Sequence, residues 1–158
     1  MRFVCDAIGT LESCFKQRNG TPRQSMLVKS ALSRLAVASS IDRSALAGLA
    51  DYSHCIVLFV FHANTNFHKT RGARCDQPEP DETGVRHLVA SLDHSCKAKV
   101  SPPRMHGGST GVFATRSPHH PIPIGISIGR IESVDERRGV IHFSGLDLVD
   151  GTPVLDIK

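Results

Sequence analysis

The chain has 158 residues, which is enough for one domain with a sizeable core. Aromatic residues make up only 5% of it and tryptophan is absent, which excludes stacking of bases on aromatic rings as the main mode of nucleic-acid binding. The net charge of +4 agrees with a polyanionic partner but is too modest to establish one.

The cysteines and the apolar segments bear on the cellular compartment. The five cysteines are odd in number and irregularly spaced, and the opening MRFVCDAIGT lacks the long apolar core of a secretory signal. The longest apolar run, CIVLFVF, is far shorter than the roughly 20 residues of a membrane-spanning helix. We therefore expect a soluble protein of a reducing compartment, the cytoplasm, with the nucleus as the alternative.

The elements predicted in the first two thirds of the chain are few. DRSALAGLADY favours one or two helical turns, with Asp42 or Ser44 as the N-cap and Gly48 limiting their stability. HCIVLFVFH, residues 54–62, is a continuous apolar run that predicts a central strand buried on both faces. Residues 65–95 break the pattern with proline, glycine and mixed charge, which predicts a long inserted loop with one short helix candidate, GVRHLVASL.

Strands are predicted for most of the remaining chain. GVFAT reads as a strand that delivers Arg116 and Ser117 onto a turn. PIGISIGRIESV places Ile124, Ile126 and Ile128 on one face and small residues on the other, which is typical of a half-buried strand. GVIHFSGLDLVDG and TPVLDIK continue in the same manner, with turns at DERRG and VDG. Several closely spaced strands indicate a β-barrel or a sandwich.

The connection RSPHHPIPIG, residues 116–125, is unusually stiff. Pro118, Pro121 and Pro123 fix the backbone, so the side chains between them are held at low entropic cost. A tight crossover between strands explains such a segment, and so does a loop that positions side chains for a ligand. The segment by itself leaves both explanations open.

Four blocks of sequence, in this order, resemble the TsaA-like (TrmO) methyltransferases. They are NGTPRQ at 19–24, YSHCIVLFVFH at 52–62, KVSPPRMHGGSTGVFATRSP at 99–118 and DLVDGTPVLDIK at 147–158. The resemblance covers nearly the whole chain outside 65–95 and is greatest to eukaryotic members. Members of that family use S-adenosylmethionine to methylate N6 of the threonylcarbamoyladenosine next to the anticodon of certain tRNAs. The resemblance therefore implies an S-adenosylmethionine-dependent tRNA methyltransferase.

The same resemblance implies a fold and an assembly. It implies a mainly β protein, a small antiparallel single-sheet β-barrel with one or two short helices, formed as one domain over residues 1–158. It also implies a homodimer that binds the cofactor near the subunit interface, and relatives usually continue past the position of Lys158 into a tail. The GxGxxG fingerprint of a Rossmann methyltransferase is missing from the sequence.

Cofactor contacts are implied block by block. An arginine fork suits the carboxylate of S-adenosylmethionine, Asp150 or carbonyl groups suit its sulfonium, and an apolar wall suits its adenine. Gly151 permits a positive φ that brings the backbone close to a ligand. An arginine that holds a structural carboxylate and a histidine that ends a strand are the alternatives that the residues alone leave open. The implied contacts are Pro22, Arg23, Gln24, His62, Ala63, Arg116, Ile126, Asp150, Gly151, Thr152 and Pro153.

Two further roles follow from the implied reaction. The acceptor N6 bears a carbonyl substituent that delocalises its lone pair, so a base near its N–H would help, and Asp150 and His62 are the candidates. Basic side chains would track the phosphates of the anticodon stem. The candidates for RNA binding are Lys97, Lys99, Arg104, His119, His120 and Arg130. No metal is expected.

One departure from the family keeps a second function open. Members commonly carry RPNPIG where this chain has HPIPIG, so His120 stands in place of an arginine and Ile122 in place of an asparagine. These changes favour, as the alternative, an S-adenosylmethionine-binding or RNA-binding barrel with weakened catalysis. A metalloprotein is a third hypothesis, disfavoured because the spacing of its ligands does not match a compact zinc pattern. Those ligands would be Cys75, His87, His94 and Cys96.

Overall fold

The computed structural model describes residues 4–63, 87–89, 97–102 and 105–158. These divide into two compact units. One unit comprises Ala7–Ala63 and Ile126–Lys158, and the other comprises the described residues of Met1–Asp6 and Asn64–Gly125. The strands within these ranges are β1 (Val4–Asp6), β2 (Gly9–Ser13), β3 (Leu32–Val37), β4 (His54–Val60), β5 (His87–Val89), β6 (Lys99–Val100), β7 (Thr110–Gly111), β8 (Ile124–Asp135), β9 (Val140–Ser144) and β10 (Thr152–Ile157).

Six strands form a closed barrel in the order β10-β2-β3-β9-β8-β4. Neighbouring strands are antiparallel, with Leu11 opposite Leu35 across β2 and β3, and Leu35 opposite Ile141 across β3 and β9. The last strand closes the barrel because β10 pairs with β2 on one side and with β4 on the other. This architecture confirms the predicted small single-sheet β-barrel.

The barrel interior is an apolar core, and the alternation that builds it is most regular in β2 and β3. In β2 and β3 every second residue is buried, which is the two-residue period of side chains on a pleated strand. Burying one such aliphatic or aromatic side chain contributes about 1.5–3 kcal/mol, so this layer dominates the stability of the unit. The most deeply buried apolar side chains are Leu11, Leu35, Val57, Ile141, Phe143 and Val154.

The prediction that β4 is buried on both faces is wrong. Cys55, Val57 and Phe59 point into the core, whereas Ile56 between them is 42% exposed. A closed barrel gives each strand only one inner face, so a continuous apolar run places alternate side chains on the outside. Since burial opposes formation of the charged thiolate, it raises the pKa of Cys55 to about 11 and keeps this thiol unreactive at neutral pH.

Strand β8 is half-buried as predicted, but its small residues form the inner face. Ser127 is 1% exposed, whereas Ile126 is 55% and Ile128 is 47% exposed. Core side chains of Phe143 and Leu146 explain the inversion, because a Cβ built on Gly129 would lie 3.2 Å from Phe143 and 2.9 Å from Leu146. The isoleucines consequently form an apolar stripe on the outside of the barrel.

The short helices of the barrel unit lie where the sequence predicts them. A 3-10 helix at Arg43–Leu46 begins at Asp42, whose carboxylate accepts a hydrogen bond of 2.8 Å from the backbone N–H of Ser44. Gly48, with a φ of 76°, separates it from a second 3-10 helix at Leu49–Asp51. In the described part of the chain, no helix combines the length and the apolar character that crossing a membrane requires.

The described residues of the other unit form two small sheets and correct two predictions. β1 pairs with β5, so residues 87–89 are a strand where GVRHLVASL predicted a helix. β6 pairs with β7. In GVFAT only Gly111 belongs to a strand, and a 3-10 helix at Val112–Ala114 follows it, closed by a 3.1 Å hydrogen bond from Thr115 N to Val112 O. The rest of the predicted 65–95 insertion lies outside the described residues.

Candidate functional site

Several predicted site residues lie together at one end of the barrel. Gly151 immediately precedes β10, and His62 follows the end of the neighbouring strand β4. A Cβ built on Gly151 would lie 3.9 Å from Nε2 of His62, so the turn and the imidazole are in van der Waals reach. Gly151 adopts a φ of +77°, which confirms the conformation expected for this glycine.

Asp150 is held from two directions. Its Oδ1 accepts a hydrogen bond of 2.8 Å from the backbone N–H of Ser13, and its Oδ2 forms an ion pair of 2.9 Å with Nζ of Lys16. The N–H of Ser13, more than the Lys16 ammonium and the nearby His62, lowers the pKa of Asp150 below its ordinary value of 3.8. The carboxylate is therefore anionic across the physiological range.

The contacts of Asp150 continue the pairing of β10 with β2. Thr152 lies opposite Leu11, and the N–H of Gly151 donates to the carbonyl of Leu11 at 2.8 Å. The N–H of the preceding residue, Asp150, donates to the carbonyl of Phe15 at 2.8 Å. Asp150 lies just before β10 begins, and its side chain, not a strand carbonyl of β10, accepts the hydrogen bond from the N–H of Ser13.

The loop that follows β2 is fastened at a second point. Residues 14–31 connect β2 to β3 and include the predicted contacts Pro22, Arg23 and Gln24, of which Pro22 is half-buried and the other two are exposed. The N–H of Met26 donates to the carbonyl of Gly145 at 2.7 Å, and the N–H of Gly145 donates to the carbonyl of Ala31 at 2.9 Å. The β9–β10 connection therefore holds this loop at both Gly145 and Asp150.

The same connection is also attached to β8. The buried hydroxyl of Ser127 donates a hydrogen bond to Oδ1 of Asp147. The connection from Gly145 to Gly151 consequently contacts β2, the β2–β3 loop and β8, and these contacts fix its backbone.

The remaining predicted cofactor contacts are more dispersed. Thr152 is buried, and both its hydroxyl and its backbone N–H donate to the carbonyl of Val149, at 2.5 Å and 3.3 Å. Pro153 lies opposite Thr10 in β10, and Ala63 is half-buried after β4. Ile126 lies on the outer face of β8, and Arg116 belongs to the other unit, so their parts in the site remain predictions.

Some candidates for RNA binding have exposed side chains, and others contact neighbouring residues of the protein. Lys97 and Lys99 are exposed, and Arg130 is 60% exposed with its Nε 3.6 Å from Glu132. His119 is half-buried, and its backbone N–H donates to the hydroxyl of Ser117 at 3.2 Å. Arg104 lies outside the described residues.

His120, which stands where the family commonly has arginine, packs within its own loop. Its Nε2 lies 2.9 Å from the carbonyl oxygen of Thr115, and its ring meets Phe113 edge to face with centroids 5.7 Å apart. This imidazole therefore stabilises the local turn of the proline-rich segment.

The metal hypothesis receives no support from the described ranges. Within 4–63, 87–89, 97–102 and 105–158, no three His, Cys, Asp or Glu side chains are grouped as a metal site requires. Three of the four ligands proposed from the sequence, Cys75, His94 and Cys96, lie outside these ranges. The described cysteines Cys5, Cys14 and Cys55 are free thiols.

Sequence reasoning missed the residues that hold Asp150 and the β2–β3 loop. Lys16 and Ser13 are separated from Asp150 by more than 130 positions, the Ser13 contact by 137, so no local pattern points to them. Met26 donates its N–H to Gly145 and has a positive φ of 65°, which is unusual for a methionine and is not predictable from its place in a loop sequence. The only signal in the sequence is the DG pair at 150–151, which marks a turn.

The lowered pKa of Asp150 predicts a window of pH-dependent stability. Because the folded-state pKa lies below 3.8, the carboxylate stabilises the native state fully above that pH and loses this contribution as pH falls through the folded-state pKa. We expect the melting temperature of the wild type to exceed that of Asp150→Asn near neutrality, and the difference to shrink below pH 4. Thermal melts followed by circular dichroism from about pH 7 to pH 2 measure it.

Asp42 provides the matched control for that experiment. Its pKa is also lowered, first by the backbone N–H of Ser44, so Asp42→Asn should lose its difference from the wild type over the same acidic range. A difference for Asp150→Asn that grows as the solution is acidified would contradict the contacts described for Asp150.

Comparison with known proteins identifies the family. The model of the tRNA-methyltransferase O N-terminal domain matches residues 10–158. The tRNA (adenine(37)-N6)-methyltransferase of Homo sapiens is 41% identical over 158 residues, covering 98% of this chain and 29% of that protein. The protein of the same name from Escherichia coli is 34% identical over 160 residues, covering 99% of this chain and 57% of that protein.

Solved structures agree with this result. A crystal structure of TrmO matches with a TM-score of 0.69 and 33% identity, covering 100% of this chain and 57% of that one. A crystal structure of TrmO from Pseudomonas aeruginosa matches with a TM-score of 0.67 and 31% identity, covering 55% of that chain. The chain thus spans about a third to just over half the length of these relatives. By sequence and by fold, the chain belongs to the TrmO family and corresponds to its N-terminal domain.

Proposed function

We propose that the chain is the methyl-transfer domain of a tRNA (adenine(37)-N6)-methyltransferase. It uses S-adenosylmethionine as the methyl donor and acts on N6 of threonylcarbamoyladenosine next to the anticodon. The observation that carries this proposal is the convergence of His62, Asp150 and Gly151 on one end of a barrel whose sequence matches the N-terminal domain of such enzymes. A tRNA substrate is consistent with the cytoplasmic location expected from the cysteines.

The residues at this end of the barrel suit the chemistry of the proposed donor. Asp150 is anionic and half-buried, and it adds negative charge for a sulfonium cation beside its ion pair with Lys16. The β2–β3 loop adds Arg23, an exposed guanidinium that suits a carboxylate. Gly151 has no side chain, which leaves the space beside the imidazole of His62 open to a ligand. When bound, the donor supplies an electrophilic methyl group on a positively charged sulfur.

The proposed reaction is a direct displacement that needs no covalent enzyme intermediate. The acceptor nitrogen forms a bond to the methyl carbon as the carbon–sulfur bond breaks, and the sulfur becomes a neutral thioether. The N–H proton of the acceptor then passes to a base. The candidates for this base are His62, whose Nε2 lies beside the Gly151 turn, and Asp150, whose two oxygens are held by Ser13 and Lys16.

Two measurements test the function. Calorimetry with S-adenosylmethionine should give a saturable 1:1 heat per chain, and the purified chain should transfer a labelled methyl group to tRNA that carries the threonylcarbamoyl mark. The same tRNA without the mark, and tRNA with guanosine at position 37, are the controls for the substrate. Transfer to unmarked adenosine would correct the substrate, and absence of donor binding would contradict the proposal.

The weakened binding module remains the second candidate, because His120 is engaged with Thr115 and Phe113. An imidazole held in this manner is a poorer phosphate ligand than the arginine common in the family. Under this candidate the chain binds the donor but methylates marked tRNA slowly. The double variant His120→Arg, Ile122→Asn should then raise the rate, while equal rates in both proteins would remove the support for this candidate.

We also propose that the chain forms a homodimer through the outer face of β8. Ile126 and Ile128 are exposed on this face, and Ile56 is exposed on the neighbouring strand β4. Three exposed isoleucines on adjacent strands are an apolar surface that a second copy would cover. The resemblance to a family expected to form dimers supports the same assembly.

Charged substitutions on this face should separate the subunits. The double variant Ile126→Glu, Ile128→Glu would bury carboxylates in the interface, so we expect the dimer dissociation constant to rise by at least about 100-fold. Sedimentation velocity over a concentration series measures it. Leu32→Glu is the matched control, because Leu32 is 65% exposed on β3, which is not adjacent to β8. A wild type that stays monomeric at about 100 µM would contradict the proposed dimer.

A further inference from the structure

Both oxygens of the Asp150 carboxylate have partners within the protein. Oδ1 accepts from the N–H of Ser13 at 2.8 Å, and Oδ2 pairs with the ammonium of Lys16 at 2.9 Å. The backbone N–H of Asp150 is also engaged, with the carbonyl of Phe15 at 2.8 Å. A proton acceptor in catalysis needs an oxygen that can turn to the substrate, and here each oxygen has a partner.

All three contacts reach the same short stretch of chain. Ser13 is the last residue of β2, and Phe15 and Lys16 are the second and third residues of the β2–β3 loop that carries Pro22, Arg23 and Gln24. Asp150 thus fixes the direction in which this loop leaves the barrel. The second attachment of the loop, between Met26 and Gly145, comes from the same β9–β10 connection.

We propose that Asp150 is a positioning residue, and that with Ser13 and Lys16 it forms a clamp that holds the β2–β3 loop in the conformation that binds the methyl donor. This inference rests on the proposed function for its link to the donor. The clamp itself is a property of the fold and can be tested without donor or tRNA.

The two contacts of the clamp contribute unequally. Lys16 is 69% exposed, and ion pairs at such exposure contribute little to stability, whereas the N–H of the buried residue Ser13 would lose its acceptor. The hydrogen bond from Ser13 is therefore the main component. Asparagine at position 150 retains a carbonyl oxygen for this bond and loses the charge, whereas alanine loses both.

This difference separates a positioning role from a base. For a positioning residue, Asp150→Ala should weaken donor binding by about tenfold or more while kcat at saturating donor falls by less than about threefold. Asp150→Asn should weaken donor binding only by about threefold, and Lys16→Met should resemble it. For a base, both substitutions of Asp150 would lower kcat by about 100-fold or more and leave donor affinity unchanged.

Calorimetry for the donor dissociation constant and single-turnover methyl transfer for the chemical step give the two quantities. Glu12→Gln is the matched control, because it breaks an exposed ion pair with Arg34 one residue from Ser13 without touching the clamp. If Asp150→Ala fails to fold, Asp150→Asn alone decides: a 100-fold lower kcat at native donor affinity overturns the proposal.

Amide hydrogen exchange tests the clamp independently of any activity. In the absence of donor and tRNA, Asp150→Ala should accelerate exchange across residues 13–26 by at least about tenfold, and Asp150→Asn should accelerate it much less. Unchanged exchange in Asp150→Ala would overturn the clamp. Accelerated exchange in a protein that proves not to bind S-adenosylmethionine would leave the clamp established and remove the proposed function instead.

Discussion

Replacing Gly9 with alanine is expected to lower the free energy of unfolding by about 3 kcal/mol or more. Gly9 lies on the inner face of β2, between Val37 of β3 and Val154 of β10. A Cβ built there would overlap the backbone carbonyl oxygen of Ala36 and lie 3.1 Å from Cδ1 of Leu35. A backbone carbonyl cannot rotate away as a side chain can, so the strands themselves must separate.

Urea denaturation followed by circular dichroism measures this effect. For an m-value of about 1–3 kcal/mol/M, the midpoint should fall by at least about 1 M. Gly111→Ala is the matched control, because Gly111 also lies in a strand, has a φ of −59°, and would meet no atom within 4 Å of its new Cβ. It should change stability by less than about 1 kcal/mol. Equal stabilities of the two variants would show that the close approach of β2 to Ala36 is absent.

The second large effect is expected at Gly145. This residue has a φ of +75°, and a Cβ built on it would lie 2.5 Å from Sδ of Met26. Gly145→Ala combines backbone strain of about 1–2 kcal/mol with a displaced methionine, so we expect about 2–3 kcal/mol of destabilisation. Because Met26 fastens the β2–β3 loop, affinity for S-adenosylmethionine should fall as well, by about tenfold. Urea denaturation and calorimetry measure the two losses.

Gly20 is the control that separates strain from contact. It belongs to the same loop and has a φ of +94°, yet nothing lies within 4 Å of its built Cβ. Gly20→Ala should therefore show the strain alone and keep donor affinity. The double variant Gly145→Ala, Met26→Ala should regain part of the stability that Gly145→Ala loses, because the methionine side chain is gone. If the double variant is no more stable than Gly145→Ala, the contact with the Met26 side chain does not contribute to the destabilisation.

The barrel was predictable because its signals are local or shared by a family. The alternation in residues 124–129, the turns at DERRG and VDG and the N-cap at Asp42 each depend on a few neighbouring residues. The four sequence blocks that resemble the TrmO family added the prediction of a closed single sheet, because alternation alone does not distinguish a barrel from a sandwich. These signals agree with one another, as they do in sequences that fold to one structure.

What the sequence did not predict depends on contacts between distant residues. Period two separates the two faces of β8 but does not say which face is inside; Phe143 and Leu146 decide that by filling the space next to Gly129. Residues 87–89 become a strand because Val4–Asp6 lies beside them, which overrides a helical pattern. The role of Asp150 likewise depends on Ser13, at a separation of 137 positions.

The position of β10 has a consequence for how the molecule acquires its structure. Because β10 is the seam between β2 and β4, a chain that lacks Thr152–Ile157 would expose two unpaired strand edges and the apolar interior between them. Joining strands so far apart along the chain makes closure a late and slow event, during which those edges are open to association with other chains. Shortening the chain before Thr152 is therefore expected to produce aggregates rather than a smaller soluble domain.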